Sequence, residues 1–208
     1  MKSEVSIIIP AYNEANRIKR VIEKVMRPDR EVIVIDDGSN DRTGEIAKDL
    51  GARVIKNDQN IGYVPSIKKG FREAKGEISV TLDADGEHEP GDIDKLTAPL
   101  LKGKYDLALG VRGSIARPSE RLINRIVNIR VPTSDCGTGM RAIRTDLARS
   151  MEIRGYCTCG TFLLEAWRKG AATIDVPVRL NKVDKGRRTA WEHIPQTFIV
   201  ILEVLRGR

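Results

Sequence analysis

The 208-residue sequence has few cysteines, few aromatic residues and no long apolar run. Its three cysteines, Cys136, Cys157 and Cys159, are an odd number, and one Cys-x-Cys pair has too few ligands for a closed zinc site, so we expect reduced thiols. The longest apolar run, 198–202, is far shorter than the roughly 18 residues that cross a bilayer. No charged segment followed by an apolar core opens the chain, which argues against secretion and for a cytoplasmic protein.

The charge balance is basic, with 36 Lys and Arg residues against 29 Asp and Glu residues and a net charge of +7. This excess favours anionic partners, which include phosphates, anionic lipids and nucleic acid. A nucleic-acid-binding protein is disfavoured, because aromatic residues make up only 4% of the chain and no nucleic-acid recognition motif is present. We therefore expect no nucleic-acid partner, while composition alone does not choose between phosphates and lipids.

Short runs rich in Val and Ile alternate with segments of helical spacing, a pattern typical of a mostly parallel sheet covered by helices. Strands are expected at 5–9, 31–35, 52–56, 78–82, 107–111 and, at an edge, 173–179. Helices are expected at 14–26, 66–74, 117–130 and 162–169, and from 191 onwards. A further helix is expected to follow Ser39 or Asn40, which would be its N-cap, and to end at Leu50. The sequence thus predicts a doubly wound α/β domain of the nucleotide-binding type.

Carboxylates follow three of the predicted strands, at the edge where ligands gather in sheets of this kind. The strand-end segments are Pro10-Ala11-Tyr12-Asn13-Glu14, Asp36-Asp37-Gly38-Ser39 and Asp83-Ala84-Asp85. A single Asp-x-Asp often does no more than cap a turn, whereas three acidic strand ends on one edge repel one another unless a cation or hydrogen-bond donors compensate. Paired carboxylates hold hard cations through oxygen while substrate phosphates complete the coordination shell, so Mg²⁺ or Mn²⁺ is expected here.

These segments resemble, in type and order, the motifs of family 2 glycosyltransferases. The resemblance extends to Asn60-x-Gly62, Gly110-Val111-Arg112, Asp135-Cys136-Gly137-Thr138-Gly139-Met140-Arg141 and Asp175-Val176-Pro177-Val178. Nearly the whole chain is similar to the dolichol-phosphate mannose synthases and related polyprenyl-phosphate glycosyltransferases. The resemblance implies a metal-dependent hexosyltransferase with a GT-A fold, a Rossmann-like mostly parallel sheet with helices on both faces. This domain is expected over 1–190, followed by a C-terminal amphipathic helix over 191–208.

The resemblance also implies roles for individual residues. The nucleotide-sugar donor is expected to contact Pro10, Ala11, Tyr12, Glu14, Asp36, Asp37, Asp83, Ala84 and Arg188. The metal ion is expected at Asp83, Asp85 and Glu87, with Glu87 standing where the synthases have a glutamine. GDP-mannose is the leading donor, with UDP-glucose and UDP-N-acetylglucosamine next. The chain departs from the synthases at Thr161, where they usually have an acid, and at 186–189, where they have a Gly-x-Ser-Lys loop.

Two classes of acceptor are compatible with these motifs. A polyprenyl phosphate arrives ionised and needs no base, so cations that hold it in line suffice. Arg112 is the first candidate for that role, with Arg117 or Arg121 as the second, because guanidinium groups pair well with phosphate oxygens. The alternative acceptor is a hydroxyl on a soluble or polymeric molecule, which requires a base such as Asp135. The catalytic residues are therefore predicted to be Asp85, Arg112 and Asp135, acting in a displacement that inverts the anomeric configuration.

An apolar stripe flanked by arginines runs through 117–130, as in helices that lie in a lipid interface. In the resembled synthases this region admits the lipid phosphate, and the alternative is a surface helix packed on its own core. The final segment leaves core, membrane and dimer contact equally open. These features predict a peripheral protein on the cytosolic face of a membrane, with a membrane subunit or a second copy of the chain as further partners.

Overall fold

The computed structural model describes residues 4–115, 117–182 and 193–207. Within these ranges a seven-stranded sheet is flanked by helices. The strands are β1 (Val5–Ala11), β2 (Arg30–Asp36), β3 (Arg53–Lys56), β4 (Ile78–Thr81), β5 (Leu107–Val111), β6 (Arg141–Arg144) and β7 (Thr173–Pro177). The helices are α1 (Ile18–Val25), α2 (Thr43–Asp49), α3 (Tyr63–Glu73), α4 (Ile93–Leu101), α5 (Pro118–Val127), α6 (Thr145–Ser150), α7 (Thr161–Arg168) and α8 (His193–Leu205).

The strand order is β3-β2-β1-β4-β6-β5-β7, and all neighbours are parallel except those of β6. The expected mostly parallel α/β sheet is therefore confirmed. Strand β6 runs antiparallel between β4 and β5, and it was not predicted from the sequence. Its four residues begin and end with arginine, so they do not form the Val- and Ile-rich run by which the other central strands are recognised.

Helices cover both faces of the sheet. On one face, α1 packs through Ile18, Val21, Ile22 and Val25, whose spacing places them on a single side of the helix, and α2 and α4 complete that layer. On the other face, α3, α5, α6, α7 and α8 cover a second apolar layer. The core is thus split by the sheet into two layers, as in other doubly wound domains.

The predicted start of α2 was wrong. The helix begins at Thr43, and neither Ser39 nor Asn40 caps it. The Ser39 hydroxyl instead accepts a hydrogen bond from the Asn13 amide at 3.0 Å, and the Asp41 carboxylate accepts one from the Thr43 amide at 3.0 Å. The turn after β2 is therefore hydrogen-bonded to the turn after β1, and α2 begins at Thr43 instead of directly after Asn40. Helix α4 was also not predicted.

Helices α5 and α8 pack against each other, and both leave apolar side chains in contact with solvent. Ile123 of α5 and Val200 of α8 are fully buried. The exposed fraction is 50% for Leu122, 65% for Phe198 and 61% for Leu202. In the described residues, no helix combines the length and the apolar character needed to cross a membrane.

Candidate active site

A cavity of about 790 Å³ opens at the carboxyl ends of β1, β2, β4 and β5. Its volume lies in the range of ligand pockets. Most of the residues proposed from the sequence line it: Pro10, Ala11, Tyr12, Glu14, Asp37, Asp83, Ala84, Asp85, Glu87, Arg112 and Arg117. Asp36, Asp135 and Arg121 do not line it, and Arg188 lies outside the described residues.

Asp36 and Asp37, at the end of β2, hold the surrounding loops together. The Asp37 carboxylate accepts hydrogen bonds from the Asn57 amide group at 2.8 Å and from the backbone amides of Ile61 and Gly62, both at 2.9 Å. Asp36 is buried and accepts a hydrogen bond from the Ser39 amide at 2.9 Å. Asp37 therefore shapes the wall of the cavity, and Asp36 supports it from behind.

Asp83 is fixed from two sides. The Tyr63 hydroxyl donates a hydrogen bond to Asp83 Oδ1 at 2.7 Å. Burial, and then the negative charge of Asp83, raises the pKa of Tyr63 well above its ordinary value, so the hydroxyl stays protonated and keeps donating. On the other side the carboxylate lies against the backbone of Gly139, where a Cβ would stand 2.5 Å from Asp83 Cγ. Only glycine leaves room for the carboxylate at this position.

The turn after Asp85 is anchored to the segment that follows β7. Asp85 Oδ1 accepts a hydrogen bond from the Glu87 amide at 2.9 Å, and the Glu87 carbonyl accepts one from the Asn181 amide at 2.7 Å. Burial of Asp92, seven residues after Asp85, raises its pKa. Hydrogen bonds from Arg179 and Lys95 outweigh this effect and lower the pKa of Asp92 to about 2. This ion pair holds the segment after β7 beside the acidic turn.

A metal ion would have to share its ligands with a substrate at this site. Among the described residues no group of three or more His, Cys, Asp and Glu side chains is arranged to hold a metal ion alone. Asp83, Asp85 and Glu87 nevertheless line the same cavity. Their carboxylates are the hard oxygen ligands that Mg²⁺ and Mn²⁺ prefer, and a diphosphate supplies further oxygens of the same kind. The chemistry of the residues therefore fits a cation that a phosphorylated ligand helps to bind.

Arg112, at the end of β5, is held by two acids. Its Nε and Nη2 donate to the two Asp135 oxygens at 2.5 and 2.9 Å, and Nη2 also donates to Glu120 at 3.0 Å. Burial lowers the pKa of Arg112, but the hydrogen bonds and charges of Asp135 and Glu120 outweigh it and raise the pKa above its ordinary value. Its Nη1 makes no hydrogen bond to the described part of the chain, so this nitrogen remains available for a ligand in the cavity.

The other two predicted arginines differ in position. Arg117 lines the cavity and lies 3.5 Å from Glu120. Arg121 instead donates to the Ile115 carbonyl at 2.7 Å and is not part of the cavity wall. Asp135 is fully buried and both of its oxygens are engaged by Arg112.

Several cavity residues were not foreseen from the sequence. They include Tyr63, Glu120, Tyr156, Thr158 and His193. Glu120 was detectable as the acid three residues after Arg117, in the first turn of the predicted basic helix. The others belong to the cavity because distant segments meet there, which no local pattern encodes. Cys157 and Cys159 also line the cavity, and all three cysteines are free thiols.

A mostly parallel sheet with a cavity of carboxylates and arginines at its carboxyl edge places the chain among the doubly wound α/β proteins, in which ligands gather at that edge. The chain belongs to glycosyl transferase family 2, whose model matches residues 6–160. The sequence resemblance to that family is thereby confirmed.

Curated relatives agree with this assignment. The chain is 32% identical to the undecaprenyl-phosphate 4-deoxy-4-formamido-L-arabinose transferase of Pseudomonas fluorescens (strain Pf0-1), over 71% of this chain and 48% of the relative. It is 28% identical to the UDP-N-acetylglucosamine–dolichyl-phosphate N-acetylglucosaminyltransferase of Methanococcus voltae, over 84% of each chain. The chain thus spans about half the length of the first relative and most of the second.

A crystal structure of glucosyl-3-phosphoglycerate synthase from Mycobacterium tuberculosis, in complex with Mn²⁺, UDP-glucose and phosphoglyceric acid, superimposes with a TM-score of 0.78. Its sequence is 24% identical, and the match covers 98% of this chain and 79% of that chain. This likeness confirms the predicted GT-A fold.

Proposed function

We propose that this protein transfers a glycosyl group from a nucleotide-diphosphate sugar to a polyprenyl phosphate and inverts the anomeric configuration. The observation that carries the proposal is one cavity that joins the carboxylates of Asp83 and Asp85 to the guanidinium groups of Arg112 and Arg117. The carboxylates suit a cation-bound diphosphate, and the arginines suit a second phosphate. Both curated relatives described above have a polyprenyl phosphate in their names.

The donor side of the cavity is formed by the ends of β1, β2 and β4. Tyr12 and Asp37 line the part where the nucleoside would bind, and Asp83, Asp85 and Glu87 would hold a divalent ion. When bound, the ion would neutralise the charge of the departing diphosphate. Tyr63 fixes the orientation of Asp83 before any ligand arrives, which avoids reorganisation during the reaction.

On the acceptor side, an oxygen of the acceptor phosphate attacks the anomeric carbon. A bond forms between that oxygen and the carbon, the bond to the diphosphate oxygen breaks, and the nucleoside diphosphate leaves. The acceptor is already ionised, so no side chain has to remove a proton. Arg112 orients the phosphate through Nη1 while Asp135 keeps its guanidinium in place.

The alternative acceptor, a hydroxyl, is less well supported by this geometry. Asp135, the base proposed for it, is buried, is bound through both oxygens to Arg112 and does not line the cavity. A carboxylate held in this way is a positioning group for the arginine. A hydroxyl acceptor would require another base, and Glu120 is the acid that contacts both arginines of the cavity.

The acceptor also accounts for the apolar surface of α5 and α8. Leu122, Phe198 and Leu202 are half exposed or more, and Arg125 lies on the same helix as Leu122. Apolar side chains beside cations favour an anionic lipid surface. Glutamate at Phe198 and Leu202 should abolish co-sedimentation with anionic vesicles, whereas glutamate at Leu101, an exposed apolar residue of α4 on the other face of the sheet, should not.

The experiment that tests the proposal compares two acceptors of equal chain length, a short polyprenyl phosphate and the matching polyprenol. GDP-mannose, UDP-glucose and UDP-N-acetylglucosamine serve as donors with Mn²⁺. Transfer to the phosphate alone, with a product of opposite anomeric configuration by NMR, supports the proposal. Transfer to the alcohol, or retention of configuration, contradicts it.

A further inference from the structure

Two thiols of one Cys-x-Cys segment lie in the wall of the cavity, and the proposed transfer reaction uses neither of them. Cys157 and Cys159 line the cavity and are partly exposed, whereas Cys136 is buried and is not part of the lining. The cavity, of about 790 Å³, is large enough to admit a small molecule. Reagents that enter from solvent can therefore reach both thiols of the segment.

The backbone of this segment is curled so that the two residues lie close together. The Cys159 amide donates a hydrogen bond to Cys157 Sγ at 3.3 Å, so the first sulfur lies against the backbone that carries the second. Gln196, fully buried in α8, donates from its side-chain nitrogen to the carbonyls of Cys157 and Cys159, both at 3.0 Å. One side chain thus holds both cysteines and keeps their sulfurs within reach of each other.

The two thiols differ in acidity. Hydrogen bonds from the Cys159 side chain and from the Cys159 amide lower the pKa of Cys157, although burial opposes them. The hydrogen bond between the two side chains, together with burial, raises the pKa of Cys159 well above its ordinary value. Because the thiolate is the nucleophile in thiol chemistry, Cys157 is the residue that attacks first, and Cys159 reacts second.

We propose that Cys157 and Cys159 form a modification site for small-molecule disulfides, an activity that goes beyond the proposed transfer reaction. The Cys157 sulfur attacks one sulfur of the reagent, the S–S bond of the reagent breaks, and one thiol leaves with the proton of Cys157. The Cys159 sulfur then attacks the Cys157 sulfur, and the second thiol leaves with the proton of Cys159. Two electrons pass from the protein to the reagent, and a Cys157–Cys159 disulfide remains.

The new bond would alter the acceptor side of the cavity. A Cβ on Gly137 would stand 4.0 Å from Cys159 Sγ and 3.3 Å from Arg112 Nη2, so the sulfur and the guanidinium flank the same piece of backbone. Rotation of the Cys159 sulfur into a disulfide changes the wall beside Arg112, and small displacements near a positioned group have large effects. Oxidation should therefore weaken binding of a polyprenyl phosphate, the one part of the inference that rests on the proposed function.

The test begins with oxidised glutathione as the reagent. The treated protein is denatured in iodoacetamide, which labels the remaining thiols, and its tryptic peptides are mapped by mass spectrometry without reduction. Cys157 and Cys159 share the peptide 155–168, whereas Cys136 lies in 131–141. We expect the peptide 155–168 to lose two hydrogen atoms and to carry no label, and the peptide 131–141 to be labelled.

Three variants test the order of the two steps. Cys159→Ser should stop at the mixed disulfide, with one glutathione on Cys157. Cys157→Ser should leave Cys159 as a thiol that iodoacetamide labels. Cys136→Ala is the matched control, because Cys136 lies outside the cavity lining, and it should still form the disulfide.

Titration calorimetry of a short polyprenyl phosphate measures the consequence. The oxidised wild type should bind it at least about ten-fold more weakly than the reduced protein, which is about 1.4 kcal/mol, and dithiothreitol should restore the affinity. Equal affinities would overturn the effect on the acceptor side.

The peptide map of the wild type decides the modification site without any variant. Iodoacetamide on both cysteines of 155–168, glutathione retained on wild-type Cys157, or a link between 131–141 and 155–168 would each overturn it. If the reduced protein does not bind the polyprenyl phosphate, the proposed function fails, and the same map still supports or overturns the modification site.

Discussion

The contact between Gly139 and Asp83 gives the sharpest test of the donor side of the cavity. A Cβ at position 139 would stand 2.5 Å from Asp83 Cγ and 2.8 Å from Oδ1, and closer still to Oδ2. Real Cβ contacts essentially never fall below 3.0 Å, so in Gly139→Ala the carboxylate has to move by about 1 Å. This movement also breaks the 2.7 Å hydrogen bond from Tyr63.

A misplacement of about 1 Å in a positioned group costs on the order of 100-fold, which corresponds to about 2.7 kcal/mol. We therefore expect Gly139→Ala to weaken Mn²⁺-dependent binding of the nucleoside diphosphate about 100-fold, measured by titration calorimetry. Gly113→Ala is the matched control, because a Cβ at Gly113 has no heavy atom within 4 Å. Neither glycine has a positive φ, so backbone strain does not enter the comparison. Unchanged binding by a folded Gly139→Ala protein would refute the role given to Asp83.

Three further predictions follow from single contacts. Glu120→Gln removes an acid that pairs with Arg112, so we expect the polyprenyl phosphate KM to fall about five-fold, which corresponds to about 1 kcal/mol. Loss of turnover would instead assign Glu120 as a base. Tyr63→Phe removes the hydrogen bond to the Asp83 carboxylate, so titration calorimetry should show about ten-fold weaker Mn²⁺-dependent nucleotide binding. A Tyr63→Phe protein that binds the nucleotide with wild-type affinity would contradict this prediction. The pKa of Asp92 is lowered to about 2, so its contribution to stability is present above pH 4 and is lost as the pH falls towards 2. Asp92→Asn should therefore flatten the dependence of the Tm on pH between pH 4 and pH 2. A variant whose Tm follows the same pH profile as the wild type would contradict this prediction.

The fold was predictable where the sequence pattern is local. The Val- and Ile-rich runs of β1, β2, β4 and β5 and the single apolar side of α1 were recognised because their period is set by the element itself. Strand β6 was missed because it pairs with residues of β4 and β5 that lie between 32 and 66 positions away in the sequence. Its two arginines also interrupt the apolar pattern by which a central strand is recognised.

The site was predictable in part for the same reason. Because the carboxyl ends of parallel strands meet at one edge, the acidic segments after β1, β2 and β4 could be assigned to one site, and Asp37, Asp83, Asp85 and Arg112 do line one cavity. The pairing of Arg112 with Asp135 spans 23 residues, and the contact of Asp83 with Gly139 joins separate loops. Such contacts arise only from tertiary packing, so the sequence did not indicate that Asp135 would be buried in an ion pair.

The most direct test of the central claim is titration of GDP and of UDP into the purified protein, each with Mn²⁺ and again with EDTA. The account predicts that one nucleoside diphosphate binds in the presence of Mn²⁺ and that EDTA or Asp85→Ala removes this binding. Binding that is indifferent to EDTA, or no binding of either nucleotide, would contradict a metal-assisted nucleotide-sugar site at Asp83, Asp85 and Glu87.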